Sequence, residues 1–149
     1  MMEFKKVNKT FKVVGVKNSG AFNNFGSEVP AFAQQLLSRS SEIQKHTGTE
    51  IALFEPKRDV NHLEGSYFVG LIVNDSLPEV PSGMKYIETT HDYVTTRGKV
   101  TRVGELHQHL LQWAGEQGYK RDLESYIVET YHPKEGEDEE VMIYLPIHS

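Results

Sequence analysis

Glu129 is the residue whose neighbours most favour a catalytic or ligand-binding role. It lies in residues 125–131, a short segment rich in β-branched and aromatic residues that predicts a strand. Because side chains alternate along a strand, Glu129 shares one face with Ile127 and Tyr131, whereas Val128 lies on the other face. A carboxylate between an aliphatic and an aromatic neighbour is costly to bury unless it is paired or protonated. The residues alone therefore leave two interpretations: a functional buried acid, or a solvated acid on an exposed face.

A buried glutamate supports two kinds of chemistry. As a carboxylate it attracts an organic cation, and each aromatic ring beside that cation adds roughly 0.5–2 kcal/mol of attraction. As a general base or acid it promotes hydrolysis, with the Tyr131 hydroxyl orienting the substrate. The candidate catalytic residues are therefore Glu129 and Tyr131. The sequence shows no nucleophile with a base and an orienting partner, which argues against covalent catalysis.

Other site chemistries find little support. The chain has no cysteine, which excludes disulfides, thiolate metal sites and cysteine nucleophiles. Its seven histidines are scattered, and His107 and His109 stand two apart on a predicted helix, so they point in different directions. We therefore predict no metal. The glycine-rich residues 15–26 lack the Gly-Lys-Ser pattern of a phosphate loop, and we predict no cofactor.

Composition narrows the class of protein. The length of 149 residues fits one domain, and the net charge is −5. The 16 lysines and arginines form no basic block, which argues against direct nucleic-acid binding. No apolar run approaches the roughly 20 residues of a membrane span, and no secretory signal opens the sequence, so we expect a cytoplasmic protein with no membrane partner.

Hydrophobic patterning predicts the order strand, helix, strand, strand, given twice. The predicted strands are residues 11–16, 50–55, 66–73, 86–96, 125–131 and 141–147. The first predicted helix begins with Ser27 as its N-cap and ends near Gly48, and the second covers residues 103–116 and ends before Gly118. Residues 77–83 are rich in turn residues and predict the crossover, and the acidic residues 135–140 predict a solvated hairpin tip.

Local similarities support an internal duplication. Residues 31–37 align with 105–111, and residues 51–57 align with 128–134. Two such units can place both helices on one side of a combined sheet, with a ligand cleft at the seam. In that alignment Ala52 takes the position of Glu129, so only one half of the seam carries an acid. We predict a single α+β domain over residues 1–149, with repeats at about 8–76 and 84–149.

Two C-terminal segments resemble those of a known family. Residues 128–131 (VETY), followed by Pro133, and residues 143–147 (IYLPI) resemble the signature of GyrI-like, or effector-binding, domains. That signature pairs a Glu-x-Tyr strand with a final strand that ends in Tyr-x-Pro-Ile. Upstream segments are similar to the family as well, and the resemblance covers nearly the whole chain. These upstream segments are residues 67–70 (YFVG), residues 80–84 (VPSGM) and Trp113 with residues 118–119 (GY).

The resemblance implies a GyrI-like fold of the SHS2 type, an antiparallel sheet with two helices and a central cleft. It also implies that Glu129 is a buried acid and the counter-charge of a lipophilic cation. The aromatic candidates for the cleft are Tyr67, Trp113, Tyr131 and Tyr144, with Tyr93 and Phe54 as weaker ones. Core packing is the alternative interpretation of each ring. Met142 stands where the family often has an acid, which puts a second acidic contact in doubt.

The resemblance implies three functions. Relatives form the ligand-sensing half of multidrug-responsive transcription activators, act as a gyrase inhibitory protein, or hydrolyse cyclopropane-bearing electrophilic toxins. We expect a domain that senses or sequesters a small hydrophobic or cationic organic ligand. The alternatives are a detoxifying hydrolase that uses Glu129, and a protein-interaction module that engages gyrase or a separate regulator.

Overall fold

Two successive strand–helix–strand–strand units build the chain in the computed structural model, which describes residues 3–43, 46–76, 79–133 and 139–148. The elements of the first unit are β1 (Lys5–Ala21), α1 (Phe25–Leu37), β2 (His46–Phe54) and β3 (Glu64–Val73). Those of the second unit are β4 (Lys85–Lys99), α2 (Val103–Glu116), β5 (Ile127–His132) and β6 (Glu140–Ile147). In each unit a three-residue 3-10 turn connects the first strand to its helix, at Phe22–Asn24 and at Val100–Arg102. A third such turn, Ser40–Glu42, follows α1.

The six strands close into an antiparallel barrel in the order β1-β3-β2-β5-β6-β4. The two units meet at two seams, where β1 pairs with β4 and β2 pairs with β5. At the second seam Ala52 pairs directly with Glu129. Because the sequence alignment makes these two residues equivalent, the pseudo-two-fold axis of the duplication passes between them. The predicted α+β fold, with its duplicated unit, antiparallel sheet and two helices, is confirmed.

The interior of the barrel and the space beneath the helices form separate cores. Inside the barrel lie Phe11, Val13, Ile51, Leu53, Phe68, Tyr93, Val128 and Tyr144. Outside it, α2 covers one part of the sheet with Leu106, Leu110 and Ala114, and α1 covers another with Val29 and Leu36. Both faces of β5 are therefore covered, so Val128 points into the barrel and Glu129 points towards the helices. Neither helix in the described residues combines the length and the apolar character needed to cross a membrane.

The first helix differs from its prediction at both ends. It begins at Phe25, and Ser27 lies inside its first turn, where its hydroxyl donates to the Asn24 carbonyl at 3.1 Å instead of capping the helix. It ends at Leu37, well before Gly48. Ile43 lies beyond the end of α1 and is buried, because the chain that follows the helix carries it into the core.

Most other boundaries follow the sequence. The second helix has the predicted bounds, and Gly118 after it has the left-handed φ of 80°. The first strand is longer than predicted, because its polar N-terminal part pairs with β4 and its C-terminal part pairs with β3. Residues 77–78 of the predicted crossover, and residues 135–138 of the predicted acidic hairpin tip, lie outside the described residues.

Candidate functional site

A cavity of about 660 Å³ lies between the two helices and the outer face of the barrel, at the seam of β2 and β5. Both helices, β2, β3, β5 and the residues just after β2 contribute to its wall. Its volume falls in the range typical of small-molecule sites. The aromatic rings that line it are Phe22, Phe25, Phe54 and Tyr131.

Glu129 lies in the wall of this cavity and is only 8% exposed. The hydroxyl of Tyr131 donates to its Oε1 at 2.6 Å, and the Nε2 of His107 lies 2.6 Å from its Oε2. Tyr131 reaches the carboxylate because it is two residues along on the same face of β5. His107 reaches it because it stands one helical turn after Val103, so both side chains face the cavity.

These two contacts explain how the fold tolerates a buried carboxylate. Hydrogen bonds to a charged group are short and strong, and together they replace the water that Glu129 loses. Burial raises the pKa of the Tyr131 hydroxyl, and the charge of Glu129 and the hydrogen bond to it raise this pKa further. Tyr131 therefore remains a hydrogen-bond donor at neutral pH.

Carboxylates outnumber basic groups on the cavity wall. Besides Glu129, the acids that line it are Glu50, Glu55 and Glu139, and the basic residues that line it are Lys57 and His107. Burial raises the pKa of Glu50, and the charge of Glu139 adds to this effect. An acidic, partly desolvated wall favours a positively charged occupant. Glu50 belongs to β2, Glu55 follows β2 and Glu139 precedes β6, so the cavity has further carboxylates although position 142 carries methionine.

Glu55 differs from the other acids because an arginine contacts its carboxylate. This carboxylate lies 3.1 Å from Arg58 and 2.8 Å from the imidazole of His62, and it accepts a bond from the Ser66 backbone N–H at 3.0 Å. These contacts hold the segment after β2, which lines the cavity. The negative charge left for an occupant comes mainly from Glu129, Glu50 and Glu139.

The structure brings three of the predicted site residues to the cavity, namely Glu129, Tyr131 and Phe54. The other four, Tyr67, Tyr93, Trp113 and Tyr144, are not among its lining residues. Tyr93 and Tyr144 lie inside the barrel, where both rings make edge contacts with Phe11. These two rings therefore pack in the core, which was the alternative interpretation of each ring.

Tyr67 and Trp113 lie behind or beside the cavity wall. Tyr67 is fully buried, and its ring makes an edge contact with Phe25 at a centroid distance of 5.1 Å. It therefore supports a lining residue without lining the cavity itself. Trp113, near the end of α2, stacks on Phe4 at 5.6 Å. Phe22, in the turn before α1, and Phe25, the first residue of α1, line the cavity instead of these two rings.

His107 is the site residue that the sequence analysis missed. It was considered only as a metal ligand, and the described residues contain no group of three histidine or acidic side chains arranged to hold a metal ion. The signal that could have found it is its helical phase. It stands four residues after Val103 on a helix face that turns to the sheet, and Ala33, the residue aligned with it in the first unit, packs against the same cluster as Ala52.

Several solved structures have the same architecture. SAV2435 bound to tetraphenylphosphonium superposes with a TM-score of 0.69 at 11% identity, over 100% of this chain and 94% of that chain. The EcmrR C-terminal domain superposes with a TM-score of 0.65 at 14% identity, over 100% and 98%. The chain has the GyrI-like fold. The family resemblance predicted from the sequence is thus confirmed at the level of the fold.

An enzyme is also among the solved structures that are similar to this chain. A hydrolase encoded by lin2189 from Listeria innocua superposes with a TM-score of 0.57 at 13% identity, over 98% of this chain and 92% of that chain. No protein-family model matches the sequence, and no curated protein matches it. At these identities the comparisons establish a shared fold, and function must be argued from the site.

We expect Tyr131→Phe to lower the free energy of unfolding by about 1–3 kcal/mol at neutral pH, because it leaves Oε1 of Glu129 buried without its donor. Urea denaturation followed by circular dichroism measures this change. Tyr119→Phe is the matched control, since the Tyr119 ring packs on Trp113 away from the cavity. Equal stability of Tyr131→Phe and the wild type would contradict the hydrogen bond at Glu129.

Proposed function

We propose that the chain binds a lipophilic organic cation in the cavity, with Glu129 as its counter-charge, in order to sense or sequester it. The observation that carries this proposal is a buried carboxylate in the wall of an aromatic-lined cavity of about 660 Å³. Maintaining such a group has a cost in stability that a purely structural role would not require. A bulky cation with an apolar surface matches both the acid and the rings.

The aromatic wall supplies the second part of the recognition. The rings of Phe25 and Phe54 stack with centroids 6.1 Å apart and an angle of 30° between their planes, and Tyr131 adds a third ring beside the acid. Ring faces attract a cation by roughly 0.5–2 kcal/mol each, most strongly where water is excluded. Apolar area buried against them adds roughly 25 cal/mol per Å². A small inorganic cation would gain only the first of these terms.

The solved structures support the same class of ligand. SAV2435, which shares the fold, has a structure bound to tetraphenylphosphonium, a cation whose charge is shielded by four phenyl groups. Tetraphenylphosphonium is therefore the first ligand to test.

We expect isothermal titration calorimetry to detect binding of tetraphenylphosphonium by the wild type, and a loss of at least about tenfold in affinity, or ~1.4 kcal/mol, in Glu129→Gln. The substitution keeps the shape of the side chain but removes its charge. Glu105→Gln is the matched control, because that acid lies on α2 with its side chain 59% exposed. Tetraphenylborate, the anion of nearly the same shape, should not bind. Unchanged affinity in Glu129→Gln, or equal affinity for the anion, would refute the proposal.

A hydrolase is the second candidate, favoured by the contact of Glu129 with His107 and by the Listeria innocua hydrolase with the same fold. Attack of water on an electrophilic cyclopropane forms a carbon–oxygen bond and breaks a carbon–carbon bond of the ring. The proton of the attacking water would pass to Glu129 and from there to the ring carbon that takes up the electron pair. The Tyr131 hydroxyl, which donates to Oε1, would hold the carboxylate in position. Both residues face the cavity, as this chemistry requires.

We expect a hydrolase to accelerate the loss of a cyclopropanoid electrophile, followed by its ultraviolet spectrum, by at least about 100-fold over buffer, with this acceleration lost in Glu129→Gln. The Glu105→Gln control should retain it. A rate equal to that of buffer would remove the hydrolase and leave the binding function.

A further inference from the structure

Both carboxylate oxygens of Glu129 have partners within the protein. Tyr131 is neutral and donates to Oε1, whereas His107 contacts Oε2 and carries a positive charge whenever it is protonated. The imidazole is half-buried at the cavity wall, with its side chain 25% exposed. One wall of the cavity therefore holds an acid together with a group that can neutralise it.

We propose that His107 is a specificity-determining residue, a resident cation at Glu129 that gives up its proton when a ligand cation binds. This inference rests on the proposed cation site and adds to it that binding is an exchange of a proton for the ligand. This exchange favours ligands that are permanent cations, such as a quaternary phosphonium or ammonium, because their charge does not depend on pH.

The exchange follows from the charge balance of the cavity. A ligand cation beside Glu129 takes over the neutralisation of the carboxylate and places a second positive charge close to the imidazole. Like charges in a poorly solvated site disfavour each other, so the imidazole loses its proton to the solvent at its exposed edge. A neutral imidazole can still donate its Nε2 hydrogen to Oε2, so the contact of 2.6 Å survives the exchange.

Other titratable groups line the same cavity and must be distinguished from His107. They are Glu129 and Tyr131 on β5, Glu50 on β2, Glu55 and Lys57 after β2, and Glu139 before β6. No described residue of β4 or β6, the strands that α2 packs against, lies in the cavity lining. The Glu55 carboxylate is paired with His62, so this imidazole is a further titratable group near the cavity.

Two of these groups could release a proton in place of His107. Burial and the charge of Glu139 raise the pKa of Glu50, which favours its protonated form. His62 is a second imidazole near the cavity, in contact with the Glu55 carboxylate. Tyr131 keeps its proton, since burial raises the pKa of its hydroxyl.

The test is calorimetric titration of the wild type with tetraphenylphosphonium between about pH 6 and 8, in two buffers with different ionisation enthalpies. The difference between the two heats counts the protons released. We expect release that approaches one proton per ligand at the acidic end, and an affinity that rises with pH by up to about tenfold per unit there. His107→Gln keeps a side-chain donor for Glu129 but cannot be protonated, so it should release no proton and bind with an affinity independent of pH.

Three control variants identify the group that releases the proton. His109→Gln and His62→Gln should bind the ligand and release protons as the wild type does near neutral pH. Glu50→Gln removes a carboxylate from the cavity wall, so it should bind more weakly but still release a proton. Binding by the wild type without proton release would overturn the exchange and leave the proposed cation site intact. Release that persists in His107→Gln would also overturn it. Absence of tetraphenylphosphonium binding at every pH would overturn the proposed site and the exchange together.

Discussion

The burial of the Glu129 carboxylate is the constraint on which the candidate site depends. A charged group at this depth is stable only when the lost hydration is replaced, and here two contacts of 2.6 Å, from Tyr131 and from His107, replace it. Tyr131 lies on the same strand as Glu129, so its position follows from that strand. His107 comes from α2, so its contact with Glu129 depends on where α2 packs along the sheet. The position of α2, the register of β5 and the charge of the cavity are therefore linked through one side chain.

The duplication explains why the cavity has two different halves. At the β2–β5 seam the axis passes between Ala52 and Glu129, and the small side chain of Ala52 leaves space in front of the acid. In the first unit Ala52 belongs to an apolar cluster against which Ala33 packs, whereas in the second unit Glu129 and His107 form a polar pair. The repeated arrangement of strand and helix thus provides an apolar wall on one side and a charged wall on the other. An amphipathic cation needs both.

Local patterns in the sequence predicted much of this arrangement, and the parts they missed depend on contacts between distant segments. Strand alternation correctly placed Glu129 and Tyr131 on one face, and the helical pattern gave the bounds of α2. Alternation cannot tell the inside of a closed barrel from the side beneath the helices, because both are buried. Tyr93 and Tyr144 were predicted at the cleft from the family resemblance, and both lie inside the barrel. His107 was missed because its partner stands on another element, and its role depends on how the helix packs.

A crystal structure of the protein with tetraphenylphosphonium would show whether Glu129 is the counter-charge of a bound cation. We predict the phosphorus centre inside the cavity between the helices and the β2–β5 seam, facing the Glu129 carboxylate, with the rings of Phe25, Phe54 or Tyr131 within about 6 Å of the ligand. A ligand bound elsewhere on the protein, with the cavity wall around Glu129 unchanged, would contradict it.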